Sequence, residues 1–402
     1  MGSEMCIRDR NMSFWRALAL FSGLSVLMPL ITDICLPAIP DIAKYYDAKS
    51  TDIQQTVSLL FFGAAIGQIV YGPLADRFGR KPVIIITMIA FSIISFLTIY
   101  APSTGLHGIA RFLQGATGAG GLIIVRAIIR DLYEGAIATK MLAYTMVGSS
   151  LMPILAPIMG GHVTEWIGWK ANFLIVTIFG ILVTFSLIFW LKETGKRNFG
   201  ALETGEIITS FILLFKSKIF FWLTCITLGP FAGLLCILAG LSPVLIDFMG
   251  MSASKFGYFF AIIMIGNLLS SVLAGKLSVI LSNFQLILSG SIICLISGVS
   301  AYLLTLLEII TPLSIVLPAT GFMIGFPLVV SAATTGAMAP FPEMAGKASS
   351  LIGLIQLGCG AATSLILGLF SEGTQLSLVI ALMLSGILSV LPLWQVYKFT
   401  RN

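Results

Sequence analysis

Residues 72–83 read Gly-Pro-Leu-Ala-Asp-Arg-Phe-Gly-Arg-Lys-Pro-Val, a polar, glycine-rich turn wedged between two long apolar runs. Those runs are about 20 residues long, which as helix crosses a hydrocarbon core of roughly 30 Å. The turn therefore reads as a short basic loop joining two membrane helices. Working outward, the whole 402-residue chain has the same character. It is 57% hydrophobic and 10% charged, with a mean hydropathy of +1.03, whereas a soluble domain carries roughly 25% charged residues. A water-soluble fold has no interior large enough for this much apolar surface, so lipid is the solvent. Ten-residue segments of alternating polarity, the mark of a membrane barrel, are absent.

Twelve spans are predicted, at 14–38, 54–75, 82–101, 106–128, 137–162, 169–191, 219–247, 256–280, 285–306, 311–338, 346–369 and 375–396. The longest break, near 192–218, holds Lys192, Lys196, Arg197, Lys216 and Lys218 and divides the chain six and six. This gives an all-α membrane protein with a first bundle over 12–195, a cytoplasmic linker over 196–217 and a second bundle over 218–402. Residues 1–11 fit nothing downstream and read as a tag or mis-called start, with Met12-Ser-Phe-Trp-Arg as the expected beginning. Lysine and arginine set orientation. With the N-terminus inside, only Lys44, Lys49, Lys170 and Lys255 fall outside, while Arg111 and Arg126 lie within a span. The net charge of +6 then reflects orientation in a bacterial inner membrane rather than nucleic-acid binding.

The halves echo one another weakly: Gly72-Pro-Leu-Ala resembles Gly275-Lys-Leu-Ser, and Gly148 has a counterpart in Gly353 at nearly the same offset. Two repeated six-helix bundles are a transporter architecture with the cargo site between them. Prolines cluster in the spans that would line such a site: Pro29 and Pro37, Pro153 and Pro157, Pro230 and Pro243, Pro318 and Pro327. Each removes a backbone donor, which at membrane depth is tolerated where protein or a wet cavity satisfies the freed carbonyl.

The turn Gly72-Pro-Leu-Ala-Asp76-Arg77-Phe-Gly79-Arg80-Lys81 resembles the loop 2–3 motif of the major facilitator superfamily. Arg111-Phe-Leu-Gln114-Gly115 resembles that family's proton-linked arginine motif. Gly148-Ser-Ser-Leu-Met-Pro153-Ile-Leu-Ala-Pro157-Ile-Met-Gly160-Gly161 resembles the motif of its antiporters, with alanine before Pro157 where many have glycine. Thr32-Asp33-Ile-Cys-Leu-Pro37-Ala-Ile-Pro40 is similar to the Bcr/CflA drug-resistance branch. The resemblance implies a proton-coupled antiporter that expels small amphiphilic drugs by alternating access, as a monomer. It further implies proton coupling through Asp33, Arg111 and Gln114. It implies an outward-open state whose inner gate is held by Asp76 with Arg126 or Arg130 and the amide donors near Gly346. Some cation-exporting relatives carry a second acid before the aspartate, and Ser25–Ile31 has none; this leans toward neutral or zwitterionic cargo. Export of an endogenous metabolite or siderophore, or proton-coupled import, are the alternative readings.

Asp33 is the one carboxylate that could lie well inside a span. An ionised aspartate there costs about 2.5–3.5 kcal/mol, so such residues usually mark a pathway or proton relay. Residues 14–32 already suffice to cross, however, so Asp33 stands either inside the span or at its outer interface. Arg111 lies at a similar depth, about 8 Å below the outer boundary at 1.5 Å per residue. It could meet Asp33 directly, through Gln114 or through water, or else snorkel. Gly160, Gly161, Gly63 and Gly67 are read as helix-packing positions, and His107 and His162 as solvated interface residues. Met146, Met152, Phe231, Phe259, Asn267 and Gln356 are candidate cavity residues. The six cysteines show no paired spacing, so neither disulfide, metal nor cofactor is expected. No Walker, His-Glu-x-x-His or Gly-x-Ser-x-Gly pattern occurs, which argues against an ATPase or an embedded enzyme.

Overall fold

The computed structural model describes residues 13–195, 204–370 and 374–400. The expected tag over 1–11, and Lys196 and Arg197 of the linker, lie outside the described residues. Among the described residues twelve helical spans form: span 1 (Phe14–Tyr45), span 2 (Ser50–Phe78), span 3 (Arg80–Thr98), span 4 (Thr104–Leu132), span 5 (Gly135–Trp166) and span 6 (Trp169–Trp190) make the first half. Span 7 (Lys218–Phe248), span 8 (Ala253–Leu277), span 9 (Asn283–Leu306), span 10 (Pro312–Met338), span 11 (Pro342–Leu369) and span 12 (Leu376–Lys398) make the second. The linker region contributes a further helix, Thr204–Lys216.

Polar residues start these helices. Side-chain oxygens of Ser13, Ser103, Ser252, Ser282 and Thr311 accept from amides one turn into spans 1, 4, 8, 9 and 10, satisfying donors that a helix start leaves orphaned. Between spans 2 and 3 the chain turns at Gly79, whose φ of 102° suits glycine and few other residues.

The halves repeat their packing. Span 1 packs on span 5, span 2 on span 4, and span 3 on spans 4 and 6; span 7 packs on span 11, span 8 on span 10, and span 9 on spans 10 and 12. Each pairing recurs six spans later. The halves meet through spans 5 and 8 and, by the same symmetry, spans 2 and 11.

Span 1 is longer than expected because it is broken. Its regular helix ends at Asp33, a short 3₁₀ turn follows at Leu36–Ala38, and a second helix, Ile39–Tyr45, completes the crossing. Pro37 explains the break: it has no N–H to offer the carbonyl one turn earlier and clashes with that turn.

Candidate functional site

Two of the prolines open the helices that wall the space between the halves. Pro29 leaves the Ser25 carbonyl without its helical donor, and Ser149 Oγ on span 5 donates to it at 3.0 Å. Pro327 does the same to Met323, whose carbonyl accepts from Asn267 Nδ2 on span 8 at 3.4 Å. Ser25, Pro29, Ser149, Asn267 and Met323 all border one cavity of about 380 Å³, within the 300–1,000 Å³ typical of small-molecule sites. Both halves wall it. The first supplies Asp33, Thr32, Met146, Pro153 and Arg126, and the second Leu234, Leu238, Met264 and Phe326.

Asp33 is 4% exposed and stands on this wall, not at a wetted rim. Among the described residues no hydrogen bond or ion pair reaches its carboxylate. It sits where the first helix of span 1 ends, and span 5 comes in against that end: a side chain on Gly160 would collide with the Ile34 carbonyl. The small residue is thus what lets span 5 press on the break beside Asp33.

Arg111 is 1% exposed, so it does not snorkel, and it forms no ion pair with Asp33. Its Nη1 donates to the Ile31 carbonyl at 3.3 Å and to Gln114 Oε1 at 2.9 Å, and its guanidinium lies 5.6 Å from the Phe173 ring centre. Gln114 turns its amide to Ser95 Oγ at 2.8 Å, so it does not bridge to Asp33 either. The interrupted helix explains this geometry. Ile31 is in its last turn, where carbonyls lack helical partners and the dipole attracts a cation. Arg111 therefore fastens the end of the helix that carries Asp33.

The loop at Gly79 differs from the expected gate. Asp76 pairs with Arg80, one turn on, and not with Arg126 or Arg130. Arg80 Nε also reaches Asp131 Oδ2 at 3.2 Å, and Arg77 lies over the Phe78 ring. Glu193, just past span 6, accepts from the amides of Arg80 at 2.8 Å and Lys81 at 3.3 Å. A carboxylate there satisfies the positive start of span 3, and a side chain on Gly79 would strike it. The sequence reading missed Glu193. Gly72 and Gly346 face open space, Arg126 and Arg130 are both exposed, and Arg126 borders the cavity.

The opposite end of the molecule is shut. Side chains on Gly161 and Gly257 would run into the backbone of Ala253 and Pro157 across the two halves. There the Ser254 amide donates to Glu165 Oε1 at 2.8 Å, and His162 Nε2 and Tyr258 Oη are 3.0 Å apart. His162 is thus a contact between halves. His107, expected to be solvated, is buried among Tyr46, just past span 1, and Trp169 and Phe173 of span 6. Gly148 packs on Val26.

Of the candidate cavity residues, Met146 and Asn267 line the space. Met152 and Phe259 pack into the core instead, and Phe231 stands behind Phe326 with ring centres 5.2 Å apart. Gln356 is turned away, donating to Thr227 and Thr334. Met28, Thr145, Met264 and Met323 line the cavity without having been anticipated.

The family model of the Major Facilitator Superfamily matches residues 21–364. The chain belongs to that superfamily. It is a multi-pass membrane transporter, not an enzyme. This major facilitator is 29% identical over 371 residues to a bicyclomycin resistance protein homolog of Haemophilus influenzae, covering 92% of each chain. It is 29% identical over 387 residues to multidrug resistance protein D of Escherichia coli, covering 96% of this chain and 95% of that one. The fold matches the crystal structure of a D-xylose-proton symporter with a TM-score of 0.77 at 15% identity, over 97% of this chain and 98% of that one.

Proposed function

We propose that this transporter exports small amphiphilic compounds from a bacterial cell in exchange for protons, with Asp33 as the proton seat. The observation that carries the reading is the Asp33 carboxyl itself, buried on the wall of a mostly apolar cavity with no partner among the described residues. A carboxyl so placed is expensive to keep ionised unless something compensates it. It holds a proton in one part of the cycle and gives it up when cargo occupies the cavity, and that mutual exclusion couples the flows. Arg111 and Gln114 act as positioning residues, holding the end of the helix on which Asp33 rides.

With both termini in the cytoplasm, the shut end at Glu165 and Ser254 faces outward and the cavity opens toward the Asp76 end. Alternating access then requires the contacts between spans 5 and 8 to part. The names of the relatives support drugs as cargo.

The test uses the purified protein in liposomes with an imposed pH gradient. Asp33→Asn removes gradient-driven drug transport, by more than about a hundredfold for a step needing a titratable group, and leaves the protein inserted. Drug transport that still follows the gradient in that variant would overturn the coupling role. Gradient-driven accumulation in the direction of proton flow would make it an importer.

A further inference from the structure

We propose that Arg126 anchors an oxyanion on the cargo, so that the cavity prefers amphiphiles with a carboxylate, sulfonate or phosphate at one end and an apolar body behind it. This rests on the reading of the cavity as the cargo site, but not on proton coupling.

The arginines of the first half differ in what they hold. Arg111 is engaged by Ile31, Gln114 and the Phe173 ring. Arg80 is engaged by Asp76 and Asp131. Arg126 lines the cavity and has no hydrogen bond or ion pair among the described residues. Three acids at that end are occupied. Asp76 holds Arg80, Asp131 holds Arg80 and Thr194, and Glu193 holds the amides that start span 3. Arg126 is exposed where it borders the cavity, so its guanidinium is open to an anion that enters with the cargo. A planar oxyanion fits it, because two parallel N–H groups meet two oxygens.

The surroundings complete the site. Met28, Met146, Met264 and Met323 border the same space, with the Phe61 and Phe326 rings. Thioethers are polarisable and adopt many rotamers, so they accept apolar bodies of varied shape. Asp33, the other charge-bearing residue on the wall, is far off. Spans 1 and 4 run antiparallel, and a side chain on Gly121 would lie 3.1 Å from the Leu24 carbonyl. Asp33 is nine residues beyond Leu24 and Arg126 five beyond Gly121 in the opposite direction. At 1.5 Å per residue the two Cα atoms are roughly 20 Å apart along the bundle. An anion on Arg126 therefore leaves the proton seat at the other end free.

The experiment is equilibrium binding to the purified full-length protein in detergent, with no gradient, so a failure of proton coupling leaves it readable. Three fluorescent probes share one body: dansyl-6-aminohexanoate, its carboxamide, and dansylcadaverine as the ammonium congener. The unaltered protein binds the acid about tenfold or more tighter than the amide, the worth of one charge-assisted contact, and the ammonium most weakly. R126Q brings the acid down to the amide while the amide is unchanged, and R126K keeps part of the preference. Equal affinity for acid and amide in the unaltered protein, or no binding of the acid, overturns the proposal. A loss of acid and amide alike in R126Q and R126K also overturns it, since that is how a gate or packing residue behaves.

Discussion

The first half brings to the cavity Asp33, Arg126 and a row of small hydroxyl side chains, Ser25, Thr32, Thr145 and Ser149. The second half brings Leu234, Leu238, Met264, Met323, Phe326 and the Asn267 amide. The helix pairings beneath them repeat, each one of the first half recurring in the second. The proline-freed carbonyls, however, are met between spans 1 and 5 in one half and between spans 10 and 8 in the other, which are not symmetry mates. The symmetry is therefore in the scaffold and not in the chemistry. The difference teaches that both halves offer apolar surface, Met28 and Met146 in the first and Met264 and Met323 in the second, while the charge-bearing side chains come from the first alone.

The largest break of that comparison is Asp33→Asn, which should remove gradient-driven transport of every cargo alike, because it acts on the energy source. An effect confined to some drugs would place Asp33 among the cargo contacts instead. Next comes Gly161→Val. Its side chain meets the Ala253 backbone, which cannot move aside as a flexible side chain can. The shut end should be forced apart and transport reduced at least about tenfold, since a state that cannot form stops the cycle. Spin labels at Trp166 and Phe248, both exposed near that end, should report a longer distance than in the unaltered protein. An unchanged distance with transport intact would mean that spans 5 and 8 are not the moving contact.

Arg111→Lys is a smaller effect and sharpens the roles within the first half. Lysine keeps the charge but is a point donor, while Arg111 reaches Ile31 and Gln114 at once. Transport should fall about tenfold with coupling retained, so the ratio of drug moved to protons moved stays constant. A changed ratio would show that Arg111 handles protons itself and does more than hold the helix that carries Asp33.

How much of this could be read in the chain varies with the physics. The polar turn at 72–83, the span count and the family motifs were legible, because lipid imposes length and apolarity on every crossing segment. The depth of Asp33 was not settled, since residues 14–32 already suffice to span; the helix break at Pro37, which lengthens span 1 to Tyr45, is what buries it. The partner that Asp76 takes in this state is legible in the motif itself, since Arg80 stands four residues on. Gly79 intervenes, and its backbone still leaves the two side chains in contact. Cavity residues were the least legible. A helix that is apolar on all sides gives no phase to tell a cavity face from a packing face, which is why Phe231 and Phe259 were chosen and Met28 and Met323 were not.

The smallest effect tests whether the twin proline sites are equivalent. Ser149→Ala removes the donor to the Ser25 carbonyl at 3.0 Å, and Asn267→Ala removes the donor to Met323 at 3.4 Å. Side-chain hydrogen bonds in membrane helices average about 0.6 kcal/mol, and the shorter contact should be worth more. Ser149→Ala is thus expected to destabilise by about 1 kcal/mol and Asn267→Ala by about half that, read by denaturant unfolding in detergent. Both numbers are those of a carbonyl that cavity water can rehydrate once it is bared. A loss of about 2–3 kcal/mol would be that of a dry, orphaned acceptor, and the cavity would then be closed to water. Pro29→Ala returns an N–H to the Ser25 carbonyl. In that background Ser149→Ala should cost almost nothing, a non-additivity that appears when two groups serve the same acceptor.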